Sequence, residues 1–381
     1  MAHHFYHPSF KLGILGGGQL GRMFIQEAIN LNVNVGILDP DINAPCKHLV
    51  EEFTCGSLQD FDTVMNFGKD KSVLTIEIEH VNVDALEALE NSGKKVFPQP
   101  RVLRIVQDKG LQKEFYTQHQ IPTAPYFLVE NKSEISTYAG EFPFFQKMRK
   151  GGYDGKGVTK LDNPADLSKA FDVPSVLEKL VPFKKEISVI VSRNEDGEMS
   201  HFPVVDCEFN PEANLVEFLF APADIDEAVE KNAIAIARKV IEALDMVGIL
   251  AVEMFLMDDG SILVNEIAPR PHNSGHHTIE GNITSQYEQH LRSILNLPPG
   301  STDTLRPAVM VNILGEPGFE GDAIYEGLEK ILDMPGVFVH LYGKKTTKPF
   351  RKMGHVTIIA SNIKRAREMA FIVKETLKVK A

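Results

Sequence analysis

The sequence predicts a multi-domain α/β protein with a parallel sheet at its start and mixed sheets beyond it. Three observations carry this: a βαβ pattern opens the chain, short apolar runs with turn signals fill its middle, and Pro298-Pro299-Gly300 sets off a smaller C-terminal part. At 381 residues the chain has room for about two to four domains of roughly 100–200 residues each.

Lys11–Leu15 is a short apolar run, followed by Gly16-Gly17-Gly18-Gln19-Leu20-Gly21 and a helical pattern to about Leu31. Val33–Leu38 is the next apolar run and ends at Asp39. Strand, glycine turn, helix and strand imply parallel pairing with a right-handed crossover. Ser72–Ile78 reads as a buried strand, Val83–Glu90 as a helix, and a helix is expected from about Arg104 to Gln118. Phe142–Lys147 and Gly157–Leu161 read as strands around a glycine-dense turn, followed by strands at Ser175–Leu180, Glu186–Val191 and His201–Phe209. Asp226–Leu244 is an amphipathic helix. Gly248–Met257 and Ser261–Ile267 flank Asp258-Asp259-Gly260, a hairpin signal. The last helix is expected over Ile363–Val379.

A net charge of −12 argues against broad binding to nucleic acid or to anionic membranes, because a basic face supplies most of that affinity. No apolar run approaches the length of a bilayer span, and the start shows no signal-peptide core, so a cytoplasmic protein is expected. Cys46, Cys55 and Cys207 are odd in number and widely spaced, which reads as reduced thiols.

Four clusters carry chemistry. Gly16-x-Gly18-x-x-Gly21 suits an anion at a helix N-terminus, but it suits close packing of a helix on a sheet as well. Glu253 and Glu266 lie symmetrically about the hairpin turn, so they are expected to stand opposite each other with Cβ atoms roughly 5 Å apart. Like charges so placed destabilise, and Mg²⁺ bridging carboxylates and nucleotide phosphates supplies a reason for them. The following stretch offers Arg270 as a planar fork for an anion, with His272 and Asn273 as further donors. Zinc on His272, His276 and His277 is the competing reading, and no cysteine or spaced second histidine pair completes its tetrahedral set. Finally, Lys147 precedes a loop with four glycines between Gly151 and Gly157, whose amides can approach phosphates closely.

Together Lys147, Gly151–Gly157, Glu178-Lys179-Leu180-Val181 with Glu186, and the Glu253/Glu266 pair resemble the ATP-grasp ligases. Within them, Gly16–Met23, Glu77-Ile78-Glu79-His80-Val81, the loop Gly151–Gly157 and Pro269–His276 resemble the 5-(carboxyamino)imidazole ribonucleotide synthase family over nearly the whole chain. The resemblance implies an ATP-grasp fold with a Rossmann-like N-terminal domain (1–108), a lid (109–185), a metal and nucleotide subdomain (186–300) and a β-rich C-terminal domain (301–381). It implies that Lys109 and Lys147 contact ATP phosphates beneath a lid formed by Gly152, Tyr153, Asp154, Gly155, Lys156, Gly157 and Val158. Glu178, Lys179, Leu180 and Val181 would hold the adenine edge through their backbone, Glu186 the ribose, and Asn265 the nucleotide. Glu253 and Glu266 would ligate Mg²⁺. Ala268 stands where many ATP-grasp enzymes carry a metal-binding Asn, so two protein ligands are expected. Gln19, Leu20, Glu77, Tyr153, Asp154 and Asn273 would face aminoimidazole ribonucleotide, with Lys344, Arg351 and Lys352 on its phosphate. Independently of the family, five cations fall in the nine residues from Lys344 to Lys352 of an acidic chain.

The implied reaction is ATP-dependent carboxylation of the ribonucleotide by bicarbonate through carboxyphosphate, in a homodimer. Arg270, His272 and Asn273 would hold bicarbonate and the intermediate, and Asp154 would accept a hydrogen bond from the attacking amine. Competing readings are the related formate-using glycinamide ribonucleotide transformylase, an NAD-dependent oxidoreductase built on Gly16–Gly21, and a non-catalytic nucleotide-binding module. Asn273-Ser274-Gly275 replaces the Asp-Thr-Gly usual in the transformylase, which favours carboxylation.

Overall fold

In a computed structural model, which describes residues 4–152, 157–210 and 215–381, the opening βαβ pattern builds a five-stranded sheet. Its order is Glu52–Cys55, Val35–Asp39, Leu12–Leu15, Val73–Ile76, Lys95–Val96, and every pairing is parallel. Leu12–Leu15 and Val73–Ile76 are buried at every residue, which explains why they read as continuous apolar runs: helices cover both faces. The edge strand Glu52–Cys55 and the helix Phe61–Gly68 gave no clear sequence signal. The strand is only half-buried, and the helix is started by Asp60, whose carboxylate accepts the Thr63 amide at 2.8 Å.

The helix expected from Arg104 to Gln118 is two helices, Pro100–Val106 and Lys109–Gln118. Asp108 makes the break, its Oδ1 accepting the amides of Gly110 (2.8 Å) and Leu111 (3.2 Å). Lys109 therefore begins a new helix instead of sitting in the middle of one.

A four-stranded antiparallel sheet follows, ordered Tyr126–Val129, Ser175–Lys179, Phe144–Met148, Val158–Leu161. Phe144, Val129, Leu161 and Leu177 form its own small core. The largest sheet has nine strands. Along it run Ile262–Ala268, Gly248–Met257, Phe183–Arg193, Val205–Asn210, Leu215–Ala221, Ala308–Leu314, Lys352–Ile359 and Val337–Leu341, with the ninth, Met199–His201, paired to the end of Phe183–Arg193. Helix Glu227–Ala243 lays Ala233, Ala237, Val240 and Ile241 against Val189, Val191, Leu250 and Val252 of this sheet.

Two further expected elements are corrected. The strand over 201–209 is Met199–His201 and Val205–Asn210, parted at Pro203, which has no amide to give a ladder. The last helix stops at Thr376 and a short strand, Lys378–Lys380, pairs with Ile324–Glu326.

Candidate functional site

The glycine turn is already occupied by the protein's own carboxylates. Asp39 Oδ2 accepts the Gly17 amide at 2.6 Å, and Glu77 accepts Gly18 and Leu20 at 3.1 Å each. Leu20 is in the first turn of the helix Gln19–Asn30, so the donors and dipole that attract an anion there are spent on Glu77. A dinucleotide pyrophosphate would meet two carboxylates instead of free amides, which removes the footing of the oxidoreductase reading. The close approach also explains the glycines: a Cβ on Gly18 would lie 2.5 Å from Glu77 Oε1, and Gly16 holds φ +105°. Gly18→Ala is therefore expected to cost about 1–3 kcal/mol of stability, read as a drop of several degrees in thermal unfolding.

Glu253 and Glu266 do stand opposite each other, but for a different reason from turn symmetry. Met254, Phe255 and Leu256 face Val264, Leu263 and Ile262, a register that would set Glu253 against Asn265. One extra residue at Asn265 bulges the second strand and brings Glu266 into line. Ser188 pairs with Glu253 on the next strand, and Glu186 lies two residues before it, so a third carboxylate shares this face. Burial, then the charges of Glu266 and Glu186, push Glu253 up to about 7. Burial alone pushes Glu186 up to about 7, with Lys147 opposing. Burial acts on Glu266 too, yet Lys109, paired with its Oε1, together with Lys147 and Arg270 outweighs it and keeps this carboxylate below its usual range.

Three lysines converge beside these carboxylates. Lys147, next to the end of the strand Phe144–Met148 that leads into the glycine loop, lies 2.8 Å from Glu178 Oε2 and donates to Asn265 Oδ1 at 3.2 Å. Lys113, one helical turn beyond Lys109, lies 3.3 Å from Glu178 Oε1. Lys109 is fixed by its neighbours: Asp108 takes Arg149 through both oxygens (2.8 and 3.0 Å), and the Lys109 amide donates to the Arg149 carbonyl at 2.9 Å. The start of this helix is thereby clamped to the strand that leads into the glycine loop.

The 268–277 stretch borders the same carboxylates. Arg270 Nε is 2.8 Å from Glu79 Oε1, which ties the stretch to the N-terminal sheet region. Gln286 grips the His272 backbone with both ends of its amide, accepting at 2.9 Å and donating at 2.8 Å. His272 Nδ1 faces the Ser274 amide (3.3 Å) and hydroxyl (3.0 Å), so it is the accepting nitrogen and Nε2 carries the proton. That Nε2 lies 3.7 Å from Glu253 Oε1. Burial, then the charges of Arg270 and Lys352, hold His272 well below its usual pKa, so it is a neutral donor. Asn273 Nδ2 is buried and has no protein partner among the described residues.

The expected residues are thus brought together in part. Lys109, Lys147, Glu178, Glu186, Glu253, Asn265, Glu266, Arg270, His272 and Asn273 share one region. Lys352 is close enough to affect both Glu253 and His272 electrostatically. Lys344 donates to the Lys352 carbonyl at 2.6 Å, whereas the Arg351 guanidinium turns to Thr346 (2.7 and 3.0 Å). Glu77 spends both oxygens on the glycine turn, so its contact with a ligand would be indirect. Tyr153, Asp154, Gly155 and Lys156 lie outside the described residues. Sequence reading missed Lys113, Glu79 and Ser274. Lys113 was visible as the i+4 neighbour of Lys109, but nothing local distinguished it from a solvated lysine.

The chain matches three family models end to end: the ribonucleotide synthetase preATP-grasp domain over residues 10–107, the ATP-grasp domain over 114–287, and the phosphoribosylaminoimidazole carboxylase C-terminal domain over 308–369. It is 36% identical to the N5-carboxyaminoimidazole ribonucleotide synthase of Bacillus subtilis, covering 94% of each chain. It is 38% identical to the phosphoribosylaminoimidazole carboxylase of Candida glabrata over 93% of its own length, but spans only 64% of that relative. Among solved structures, the N5-carboxyaminoimidazole ribonucleotide synthetase of Thermotoga maritima superposes with a TM-score of 0.90 at 45% identity, covering 98% of this chain and 99% of that one. The Aspergillus clavatus N5-carboxyaminoimidazole synthase, solved with ADP and 5-aminoimidazole ribonucleotide, gives 0.88 at 34% identity over 96% and 98%. With one parallel sheet, one ATP-grasp core and one matching C-terminal domain in the same order, the chain belongs to the N5-carboxyaminoimidazole ribonucleotide synthase family of ATP-grasp ligases.

Proposed function

We propose that this chain catalyses the ATP-dependent carboxylation of 5-aminoimidazole ribonucleotide by bicarbonate, giving N5-carboxyaminoimidazole ribonucleotide, ADP and phosphate in purine biosynthesis. The observation that supports it best is the facing Glu253/Glu266 pair, with Lys109 and Lys147 on one side and Arg270, His272 and the Asn273 amide, unpartnered among the described residues, on the other. One side suits a nucleoside triphosphate and the other a small oxyanion. A formate-using relative would share the first half, so the choice of bicarbonate leans on the family membership. On the same reading, drawn from the resemblance alone, the enzyme is a cytoplasmic homodimer.

The residues fit Mg²⁺. Glu253 and Glu266 are hard oxygen donors on one face, and the burial and neighbouring negative charge that push Glu253 up to about 7 are what a cation would offset. When bound, Mg²⁺ supplies neutralisation of charge on the ATP phosphates. Lys147 and Lys109 add fixed positive charge at the same phosphates. A bicarbonate oxygen attacks the γ-phosphorus and the bond to the ADP oxygen breaks, giving carboxyphosphate. The exocyclic amine then takes the carboxyl group, directly or as released CO₂, and phosphate leaves. Arg270, His272 Nε2–H and the Asn273 amide hold the anion as donors. Because His272 is neutral, it orients the anion and does not exchange a proton at neutral pH. Lys352, with Lys344 and Arg351, is assigned to the ribonucleotide phosphate, and Asp154 to the attacking amine. Gln19, Leu20 and Tyr153 are assigned to the ribonucleotide and the backbone of Glu178–Val181 to adenine.

The raised carboxylates predict a pH dependence of stability. Glu186 and Glu253 ionise near 4.5 when unfolded and near 7 when folded. Below about 4.5 both states hold these protons and nothing changes. Between there and about 7 only the unfolded chain releases them, so these two groups take stability from the ligand-free protein as pH rises, and their contribution levels off above about 7. The contribution is read as a difference in thermal unfolding: between pH 5 and 8 wild type is expected to lose stability relative to Glu186→Gln. That comparison cancels the opposite contribution of the histidines whose pKa burial lowers, His272, His276, His277, His290 and His355, and Mg²⁺ with ADP is expected to lessen the difference.

The functional assignment is tested by ADP release with ATP, Mg²⁺ and bicarbonate. Turnover that depends on 5-aminoimidazole ribonucleotide supports it. Turnover only with formate and glycinamide ribonucleotide would keep the fold and overturn the substrates.

A further inference from the structure

Glu178 is paired to more positive charge than one carboxylate needs. Its side chain is 6% exposed, with Lys147 Nζ at 2.8 Å from one oxygen and Lys113 Nζ at 3.3 Å from the other. The two lysines differ in what else they can reach. Lys147 is 17% exposed, leads into the glycine loop, and has the neutral Asn265 side chain as its second partner. Lys113 is 2% exposed and donates to Thr123 Oγ1 at 2.6 Å. That hydroxyl donates in turn to the Val264 carbonyl at 2.7 Å, beside the bulge that aligns Glu266. Lys113 is therefore fixed in the interior, whereas Lys147 is free to be drawn outward.

We propose that Lys113 is a positioning residue, a permanent counter-ion that keeps Glu178 paired when Lys147 leaves it for the nucleotide phosphates. The inference rests on ATP being the nucleotide, as assigned above. Removing one member of a buried ion pair strands the other charge, which is strongly unfavourable. With Lys147 as its only partner, Glu178 would hold that lysine back and nucleotide binding would have to overcome the full penalty. With Lys113 in place the carboxylate keeps a cation throughout, and Lys147 exchanges between carboxylate and phosphate at little cost. The charge balance supports this order of events. Burial pulls Lys113 down, Glu178 pulls it up, and the ammonium of Lys147 pulls it down again, to about 8. Departure of Lys147 removes that repulsion and makes Lys113 a firmer cation when Glu178 has no other.

The test is calorimetric titration of the full-length protein with the magnesium complex of AMP-PNP, which reads binding without turnover. Lys113→Met is expected to weaken binding about tenfold or more, and Glu178→Gln, which leaves Lys147 without a competitor, to bind at least as tightly as wild type. The double variant is expected to recover to within about threefold of Glu178→Gln, a rescue that a purely structural role for Lys113 would not produce. Lys113→Met binding like wild type, or a double variant as weak as Lys113→Met, overturns the proposal. If Lys113→Met does not fold, Glu178→Gln decides alone: unchanged or tighter binding supports the counter-ion role, and a tenfold loss contradicts it. Wild-type protein that does not bind the analogue overturns the functional assignment and this inference with it.

Discussion

Replacing Glu266 by Gln is expected to abolish turnover, lowering kcat by at least about a thousandfold. The change is nearly isosteric, so the bulge at Asn265 and the hairpin register survive it. What is lost is charge. Glu266 is the member of the pair that Lys109 keeps ionised, whereas Glu253 is pushed toward neutrality. Removing it takes the more dependable anionic ligand from the Mg²⁺ site and leaves Lys109 without its partner. Glu253, no longer repelled by a neighbouring carboxylate, moves back toward its ordinary pKa but cannot hold the ion alone. ADP release under saturating substrates measures the loss, and thermal unfolding close to wild type shows that it is not a folding defect. Retention of more than about a tenth of wild-type kcat would mean that this pair is not where the metal acts.

Lys147→Met is expected to lower kcat/KM for ATP by about a hundred- to a thousandfold, because a fixed charge aimed at the phosphates is removed while the side-chain volume is kept. The fold is expected to withstand this change, since Glu178 retains Lys113. Lys147→Arg keeps the charge but not the compact ammonium that fits between Glu178 and Asn265, and so should recover only part of the loss. Initial rates against ATP concentration separate the two variants. A Lys147→Met enzyme with unaltered kcat/KM would place the phosphates elsewhere.

The legible part of this molecule was the part with a local signature. The glycine turn, the apolar runs of the parallel sheet and the Asp258–Gly260 hairpin each follow from backbone chemistry within a few residues. The facing of Glu253 and Glu266 was legible only by coincidence: a bulge at Asn265 changes the register by the one residue that the assumed turn centre had misplaced. The capping of Lys109–Gln118 by Asp108 was readable in principle, but the apolar pattern on either side of it masked the break. Lys113 and Glu79 were illegible because their partners, Glu178 and Arg270, lie 65 and 191 residues away, and no spacing rule reaches that far. The glycine turn invited an anion-binding reading that Glu77, 59 residues from Gly18, overrules.

The central claim is that bicarbonate carbon is transferred to 5-aminoimidazole ribonucleotide at the expense of ATP. Carbon-13 NMR of a reaction with labelled bicarbonate, ATP, Mg²⁺ and the ribonucleotide observes that transfer directly. A carbamate resonance that requires both ATP and the ribonucleotide, formed in step with ADP and absent with Glu266→Gln, is the predicted result. ADP formation without label entering the ribonucleotide would contradict it.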